Sequence, residues 1–168
     1  MKVANDILIP ELARLIGEGK EVRFTPSGVS MRPFIEGDKD SVILAPVQTP
    51  RVGDILLAQA TNTQSPIYVL HRLIRIDQRL ATNDQRPTTN DQRPTTNDQR
   101  PLYILQGDGN LQGEEQCTRA NIIGVVTRIE TPRGRRKPLT RGRLWHYLFP
   151  CRRFLLKIYR HTWLKWCY

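Results

Sequence analysis

The residues best suited to chemistry in this sequence are a serine, a histidine and an aspartate, which occur in that order. Ser30 lies in the turn-like segment 28–33, His71 lies in the apolar run 67–76, and Asp108 stands between two glycines. A serine hydroxyl is barely ionised near neutral pH, so it becomes a nucleophile only beside a base, which an acid can orient. The three residue types therefore predict hydrolytic chemistry, with a nucleophile, a general base and an orienting acid.

Each of these residues also has an interpretation that involves no chemistry. Ser30 stands among turn formers, His71 could be a hydrogen-bonded strand residue, and Asp108 belongs to Gly-Asp-Gly-Asn, a common turn sequence. The histidine side chain titrates near pH ~6.5, which suits a general base near neutral pH. The occurrence of all three, each beside a β-like apolar run, favours the catalytic interpretation.

Short apolar segments separated by proline and glycine must position these side chains. Asn5 or Asp6 can cap a helix that ends at Gly17 and carries apolar residues at helical spacing. Predicted strands follow at 21–24, 41–45, 54–58, 67–76, 102–105 and 122–126. Short strands with frequent turn residues are typical of a mainly β, sandwich-like or barrel-like fold.

A repeat interrupts the strand pattern between residues 82 and 101. The sequence TNDQRPT occupies residues 82–88, recurs at 89–95, and begins a third time at residue 96. Low apolar content, proline and balanced charge predict a solvated, disordered insertion. Because closure entropy grows only logarithmically with loop length, such an expanded hairpin loop between two strands is tolerated.

Four short segments resemble the successive conserved boxes of the signal peptidase I-like serine peptidases, a superfamily that includes the LexA-type self-cleaving repressors. They are residues 28–33 (GVSMRP), 53–55 (GDI), 71–72 (HR) and 107–110 (GDGN). The resemblance covers about residues 20–128 without the repeat. It implies a LexA/signal-peptidase-like coiled antiparallel β-sheet domain, here with an N-terminal helix and a basic amphipathic helical tail.

The resemblance also implies which side chains act. A Ser–His pair is similar to that of the endoplasmic-reticulum and archaeal signal peptidases, whereas the bacterial enzymes and the repressors use lysine as the base. No lysine lies between Lys39 and Lys137, so a lysine base is not available at the usual place. The histidine-type peptidases have a second acid six residues after the first, which corresponds to Glu114. Either Asp108 or Glu114 is therefore expected to orient His71.

The implied activity is that of a serine endopeptidase without a cofactor. Ser30 is expected to attack an extended peptide or protein substrate bound along a strand edge, with His71 as general base and the Ser30 backbone N–H in the oxyanion hole. Small residues beside the scissile bond are the family expectation. The alternative is a non-catalytic binding module with the same β-fold, which docks on a membrane or on nucleic acid through its basic tail. A protein that cleaves itself once ranks last because no cleavage site is obvious.

The C-terminal tail, residues 131–168, carries the whole basic excess of the chain. The formal net charge is +10, yet residues 1–130 hold 15 Lys and Arg against 16 Asp and Glu. The tail holds 11 Lys and Arg, no acid and all three tryptophans. An amphipathic helix in this segment suits an anionic membrane surface first, packing on the protein's own β-domain second, and nucleic acid third.

Cysteine usage and the N-terminus bear on the compartment. Cys117, Cys151 and Cys167 lack CxxC spacing, which argues against a disulfide framework or a zinc site and favours a reducing compartment. An acid at Asp6 precedes any long apolar run, so no signal peptide is predicted, and no apolar stretch approaches the ~18 residues of a membrane span. The predicted location is cytoplasmic, or peripheral on the cytoplasmic membrane face, with a β-domain at 1–130 and the tail at 131–168.

Overall fold

An antiparallel sheet, curled into half a barrel, dominates the computed structural model of this chain. The structure describes residues 5–61, 67–78, 101–110, 112–139, 151, 154–159 and 161. Its elements are helix α1 (Asn5–Gly17), strands β1 (Val22–Phe24), β2 (Ser41–Ala45), β3 (Ile55–Ala60), β4 (Ile67–Asp77), β5 (Leu102–Gln106) and β6 (Glu115–Cys117), a 3₁₀ turn (Arg119–Asn121), and strands β7 (Ile122–Glu130) and β8 (Arg136–Lys137). The prediction of a mainly β fold is confirmed.

The strand order, β1-β2-β7-β3-β4-β5-β6, places β7 between β2 and β3, with β8 added beside β7. Register shifts interrupt the pairing at Ile43/Leu44, Leu57/Ala58 and Leu73/Arg75. Such irregularities increase the local twist of a sheet, which accounts for its curl. At the far side, the Thr61 N–H donates to the Gln116 carbonyl oxygen at 2.7 Å and brings β6 back towards the end of β3.

The curled sheet encloses two apolar clusters. In the first, Ile9, Leu12 and Ile16 of α1 pack on the sheet, whereas Ile7, which belongs to the predicted apolar face, is exposed. The second lies between β3, β4, β5 and β6 and includes the fully buried Cys117. Burial raises the pKa of the Cys117 thiol to about 11, so this thiol stays protonated and unreactive near neutral pH.

Two strands are present that the sequence pattern does not predict. β6 has three residues and β8 has two, and both are mostly polar, so neither carries the apolar alternation of a half-buried strand. Because β8 pairs with β7, the sheet continues beyond the predicted domain boundary at residue 130. The repeat lies outside the described residues, as does most of the predicted helical tail, of which residues 154–159 have helical backbone. Within the described part of the chain, no helix has the length and apolar character that a membrane crossing needs.

Candidate active site

Ser30 lies in the connection between β1 and β2, which its own backbone holds tightly folded. The Asp38 N–H donates to the Pro26 carbonyl oxygen at 2.8 Å and closes the ends of the connection. Gly28 has a φ of +97°, and a Cβ at Gly37 would overlap the Gly28 carbonyl oxygen. Glycine is required at both positions, at the first by its left-handed backbone and at the second by space. Ser30 therefore sits on a constrained turn.

The turn 107–110 packs its backbone directly on this connection. The Gly109 N–H donates to the Ser30 carbonyl oxygen at 2.7 Å. A Cβ at Gly107 would lie 2.6 Å from that same oxygen, and one at Gly109 would lie 3.0 Å from the Arg32 carbonyl oxygen. The two glycines are thus explained by a close approach of two backbones, and the contact fixes the serine turn against the end of β5.

Asp108, between these glycines, is 3% exposed and pairs with Arg72 of β4. Its Oδ1 and Oδ2 atoms accept hydrogen bonds from Arg72 Nε and Nη2 at 2.9 and 2.8 Å, and Arg72 Nη1 donates to the Gly53 carbonyl oxygen at 2.7 Å. Successive strand residues project to opposite faces of the sheet. The Asp108 carboxylate, which meets Arg72, therefore lies on the face of the sheet opposite to the His71 side chain. Asp108 anchors the turn to β4, which differs from the predicted role of orienting His71.

The carboxylate that contacts His71 belongs to Glu115. The His71 side chain is 6% exposed, and its Nδ1 atom lies 2.8 Å from Glu115 Oε2. Glu114, the other predicted partner, instead faces the exposed Arg75 at 3.5 Å. The carboxylate at His71 therefore belongs to the residue after the predicted Glu114.

Sheet register explains this displacement. Glu115 on β6 is opposite Leu105 on β5, which is opposite Leu73 on β4, and Leu73 shares a face with His71 two residues earlier. The neighbouring Glu114 precedes the strand and projects away. The one sequence signal for this register is Cys117, an apolar residue two positions after Glu115 that is buried on the same face.

Ser30 and His71 line one cavity of about 130 Å³ between the serine turn and β4. Its other walls are Pro26, Ser27, Gly28, Met31, Ile35, Gly37, Tyr68, Val69 and Leu70. The His71 ring is hydrogen-bonded to Glu115, and no hydrogen bond between described residues joins that ring to Ser30 Oγ. The sequence predicts a Ser30–His71 contact near ~3 Å, with some lengthening in an unliganded form. In the structure the two residues line a common cavity without a hydrogen bond between them.

Two backbone features of the cavity are suited to binding a peptide. In the described part of the chain, no hydrogen bond from the Ser30 N–H is found, and Ser30 lines the cavity. β4 pairs with β3 from Ile67 onwards but with β5 only from Arg72. Residues 67–71 are thus paired on one side among the described strands, and their other edge can accept an extended chain.

Among the described residues, no group of three or more His, Cys, Asp or Glu side chains is placed to hold a metal ion. The site consists of the serine turn, the His71–Glu115 pair and the Arg72–Asp108 anchor. Comparison of the chain with protein-family models, with curated proteins and with solved structures finds no match.

Proposed function

We propose that this protein is a serine endopeptidase with Ser30 as nucleophile and His71 as general base. The observation that carries the proposal is the shared cavity, which has the Ser30 turn on one wall and, on the other, a buried histidine whose Nδ1 atom meets a carboxylate. A serine, an imidazole and an acid in this relation are the parts of a hydrolytic triad, which geometry identifies whatever the chain order. In this proposal the acid is Glu115.

The mechanism follows from the orientation of the imidazole. Glu115 accepts a hydrogen bond from the His71 Nδ1–H, so the proton stays on Nδ1. Nε2 is then the unprotonated nitrogen, which takes the Ser30 hydroxyl proton as Oγ attacks the peptide carbonyl carbon. Nε2 then delivers that proton to the leaving amine, and an acyl-enzyme forms. Water, deprotonated by the same nitrogen, hydrolyses the ester and restores Ser30. The step needs Oγ within about 3 Å of Nε2 in the substrate complex.

The oxyanion of each tetrahedral intermediate would lie against the Ser30 backbone N–H. A preorganised donor of this kind contributes typically about 3 kcal/mol of transition-state stabilisation. The donor is held in place because the turn that carries it is closed by backbone hydrogen bonds on one side and packed on Gly107 and Gly109 on the other. Rigid support of this type is what preorganisation requires.

The substrate would lie as an added strand along residues 67–71 of β4. Main-chain hydrogen bonds to that edge would supply affinity, and the cavity would receive one side chain beside the scissile bond. A volume of about 130 Å³ favours a small side chain. A signal-peptidase-like or LexA-like fold is the finer proposal within the observed mainly β class, and the amphipathic helical tail is part of it.

The test is hydrolysis of a defined peptide library by the full chain, with products mapped by mass spectrometry. Glu115→Gln should lower kcat by about 100-fold or more, because an amide no longer fixes the base tautomer or stabilises the imidazolium ion. Glu114→Gln is the matched control. It alters the adjacent carboxylate, which lies on Arg75 and is 43% exposed, so kcat should change less than about threefold.

Two results would count against this assignment. The wild-type chain cleaving no peptide of the library would reject the endopeptidase proposal. A larger loss of kcat with Glu114→Gln than with Glu115→Gln would keep the activity but return the orienting role to Glu114.

A second proposal concerns where the protein acts. The β7–β8 hairpin exposes Arg133 and Arg135 in its turn and Arg136 at the start of β8, and none of these forms an ion pair within the described part of the chain. Phe154 and Ile158 are large apolar side chains that are also exposed. We infer that this basic hairpin, residues 131–137, docks on an anionic membrane surface, where each cation contributes about 1 kcal/mol. The same docking without peptidase activity is the binding-module alternative.

Vesicle co-sedimentation of the full chain tests the docking surface. Replacing Arg133, Arg135 and Arg136 by glutamine should weaken binding to vesicles containing anionic lipid by about tenfold or more, and added salt should weaken binding of the wild type. The control neutralises Arg14, Lys20 and Arg75, which are exposed but already paired with carboxylates. It changes net charge equally and should bind like the wild type.

Equal loss of vesicle binding in both variants would mean that net charge, not the hairpin, drives binding. Tighter binding to RNA would favour nucleic acid.

A further inference from the structure

Two buried carboxylates follow the serine turn directly. Glu36 is 7% exposed and Asp40 is 2% exposed, although both lie in the short connection before β2. A buried carboxylate is costly unless it has cations or N–H donors around it. The interactions that compensate these two groups therefore determine how the connection is held.

Glu36 is compensated from within the serine turn. Its Oε1 atom pairs with Arg32 Nη2, and Arg32 is two residues after Ser30. The backbone of Arg32 in turn donates to the Val29 carbonyl oxygen at 3.1 Å, so the hydrogen-bonded turn encloses Ser30. Arg32 thus links the Glu36 carboxylate to the backbone turn that carries Ser30.

Asp40 is compensated by a residue far along the sequence. Its Oδ2 atom accepts the Glu36 backbone N–H at 2.7 Å and Lys137 Nζ at 2.6 Å. Lys137 Nζ also donates to the Phe34 carbonyl oxygen at 3.3 Å. Lys137 belongs to β8, so this last strand holds both ends of segment 34–40 with one ammonium group.

We propose that Lys137 is a positioning residue for the nucleophile. It acts through Asp40, Glu36 and Arg32. It holds the serine turn in the position from which Ser30 Oγ can reach the His71 ring. The inference rests on the proposed peptidase function and adds to it a residue that the sequence places in the basic tail. A displacement of the reacting atoms by about 1 Å can cost about 100-fold in rate, so a modest relaxation of the turn is enough to matter.

The neighbouring side chain on β8 provides the contrast. Arg136 carries the same charge, is exposed, and in the described part of the chain forms no hydrogen bond or ion pair with segment 34–40 or with its strand partner Glu130. The pairing of β8 with β7 places Lys137 opposite Ile129, a core residue, and this explains why one cation points inward while the next points to solvent.

Hydrogen–deuterium exchange and steady-state kinetics on the full chain test this role. In Lys137→Gln, amides of residues 29–36 should exchange at least about tenfold faster, and kcat should fall about 10- to 100-fold with KM within about threefold of the wild type. Lys137→Arg keeps the charge and the donors, so it should restore most of the protection and of kcat. Lys20→Gln changes an exposed lysine that pairs with Glu18, and it should behave like the wild type in both measurements.

Unchanged exchange and unchanged kcat in Lys137→Gln would overturn the proposal, as would an equal effect of Lys20→Gln. If Lys137→Gln does not fold, the double variant Lys137→Gln with Asp40→Asn removes the buried carboxylate together with its half-buried cation, and it should fold while kcat stays low. Normal kcat in that folded double variant would also overturn the proposal. If the wild type cleaves no peptide, the peptidase function fails, yet the exchange data still decide whether Lys137 holds the turn.

Discussion

Replacement of Ser30 by alanine is expected to lower kcat for peptide hydrolysis by about 10⁴- to 10⁶-fold. The substitution removes the atom that forms the acyl-enzyme, and the residual rate comes from binding and oxyanion stabilisation alone. The turn should stay folded, since the contacts that hold it are made by the Ser30 carbonyl oxygen and by backbone around it, not by the hydroxyl. Initial rates on a cleaved library peptide, with circular dichroism to confirm folding, measure the effect.

Ser27 supplies the matched control for this experiment. It is a second serine that lines the same cavity, three residues before Ser30. Ser27→Ala changes the same chemical group in the same space, so kcat should stay within about threefold of the wild type. A severe loss with Ser27→Ala and a mild one with Ser30→Ala would move the nucleophile to Ser27. Equal retention of activity in both variants would place the catalytic centre elsewhere.

Arg72→Met is expected to cause the largest loss of stability, about 3 to 5 kcal/mol in the free energy of unfolding. The change leaves the Asp108 carboxylate buried without its bidentate cation and takes a donor from the Gly53 carbonyl oxygen. Methionine keeps most of the side-chain volume, so the loss reports charge and hydrogen bonding more than packing. Urea denaturation monitored by circular dichroism gives the value.

Two further variants isolate the buried pair. Arg75→Gln changes an arginine three residues along the same strand that is 52% exposed and pairs with Asp77 and Glu114, so it should cost less than about 1 kcal/mol. Adding Asp108→Asn to Arg72→Met removes the uncompensated charge and should recover part of the stability. Equal losses from Arg72→Met and Arg75→Gln would contradict a special role for the buried pair.

The apolar patterns in the sequence are sufficient to predict most of the sheet. Segments such as 41–45, 54–58 and 122–126 appear as β2, β3 and β7 with boundaries shifted by a few residues, because a buried strand needs a run of apolar side chains. β6 and β8 have no such pattern. Each forms because a neighbouring strand offers an edge for backbone hydrogen bonds. Such an edge exists only once the tertiary structure has formed.

For the candidate site, the residue types in the sequence are sufficient to select Ser30 and His71, which do share a cavity. The choice among three acids depends on geometry. Glu114 and Glu115 are chemically alike and adjacent, yet strand register turns only Glu115 towards His71, because successive strand residues project to opposite faces. The same alternation at Arg72 draws Asp108 into an anchoring role.

The sequence by itself determined the mainly β class, the N-terminal helix and the separation of a near-neutral body from a basic tail. These follow from side-chain polarity and its period along the chain, which are local properties. Tertiary structure alone decided that Glu115 meets His71, that Asp108 meets Arg72, and that Lys137 reaches back to Asp40. Each of these pairs joins residues 36 to 97 positions apart, and only strand pairing and burial determine which polar groups meet out of water.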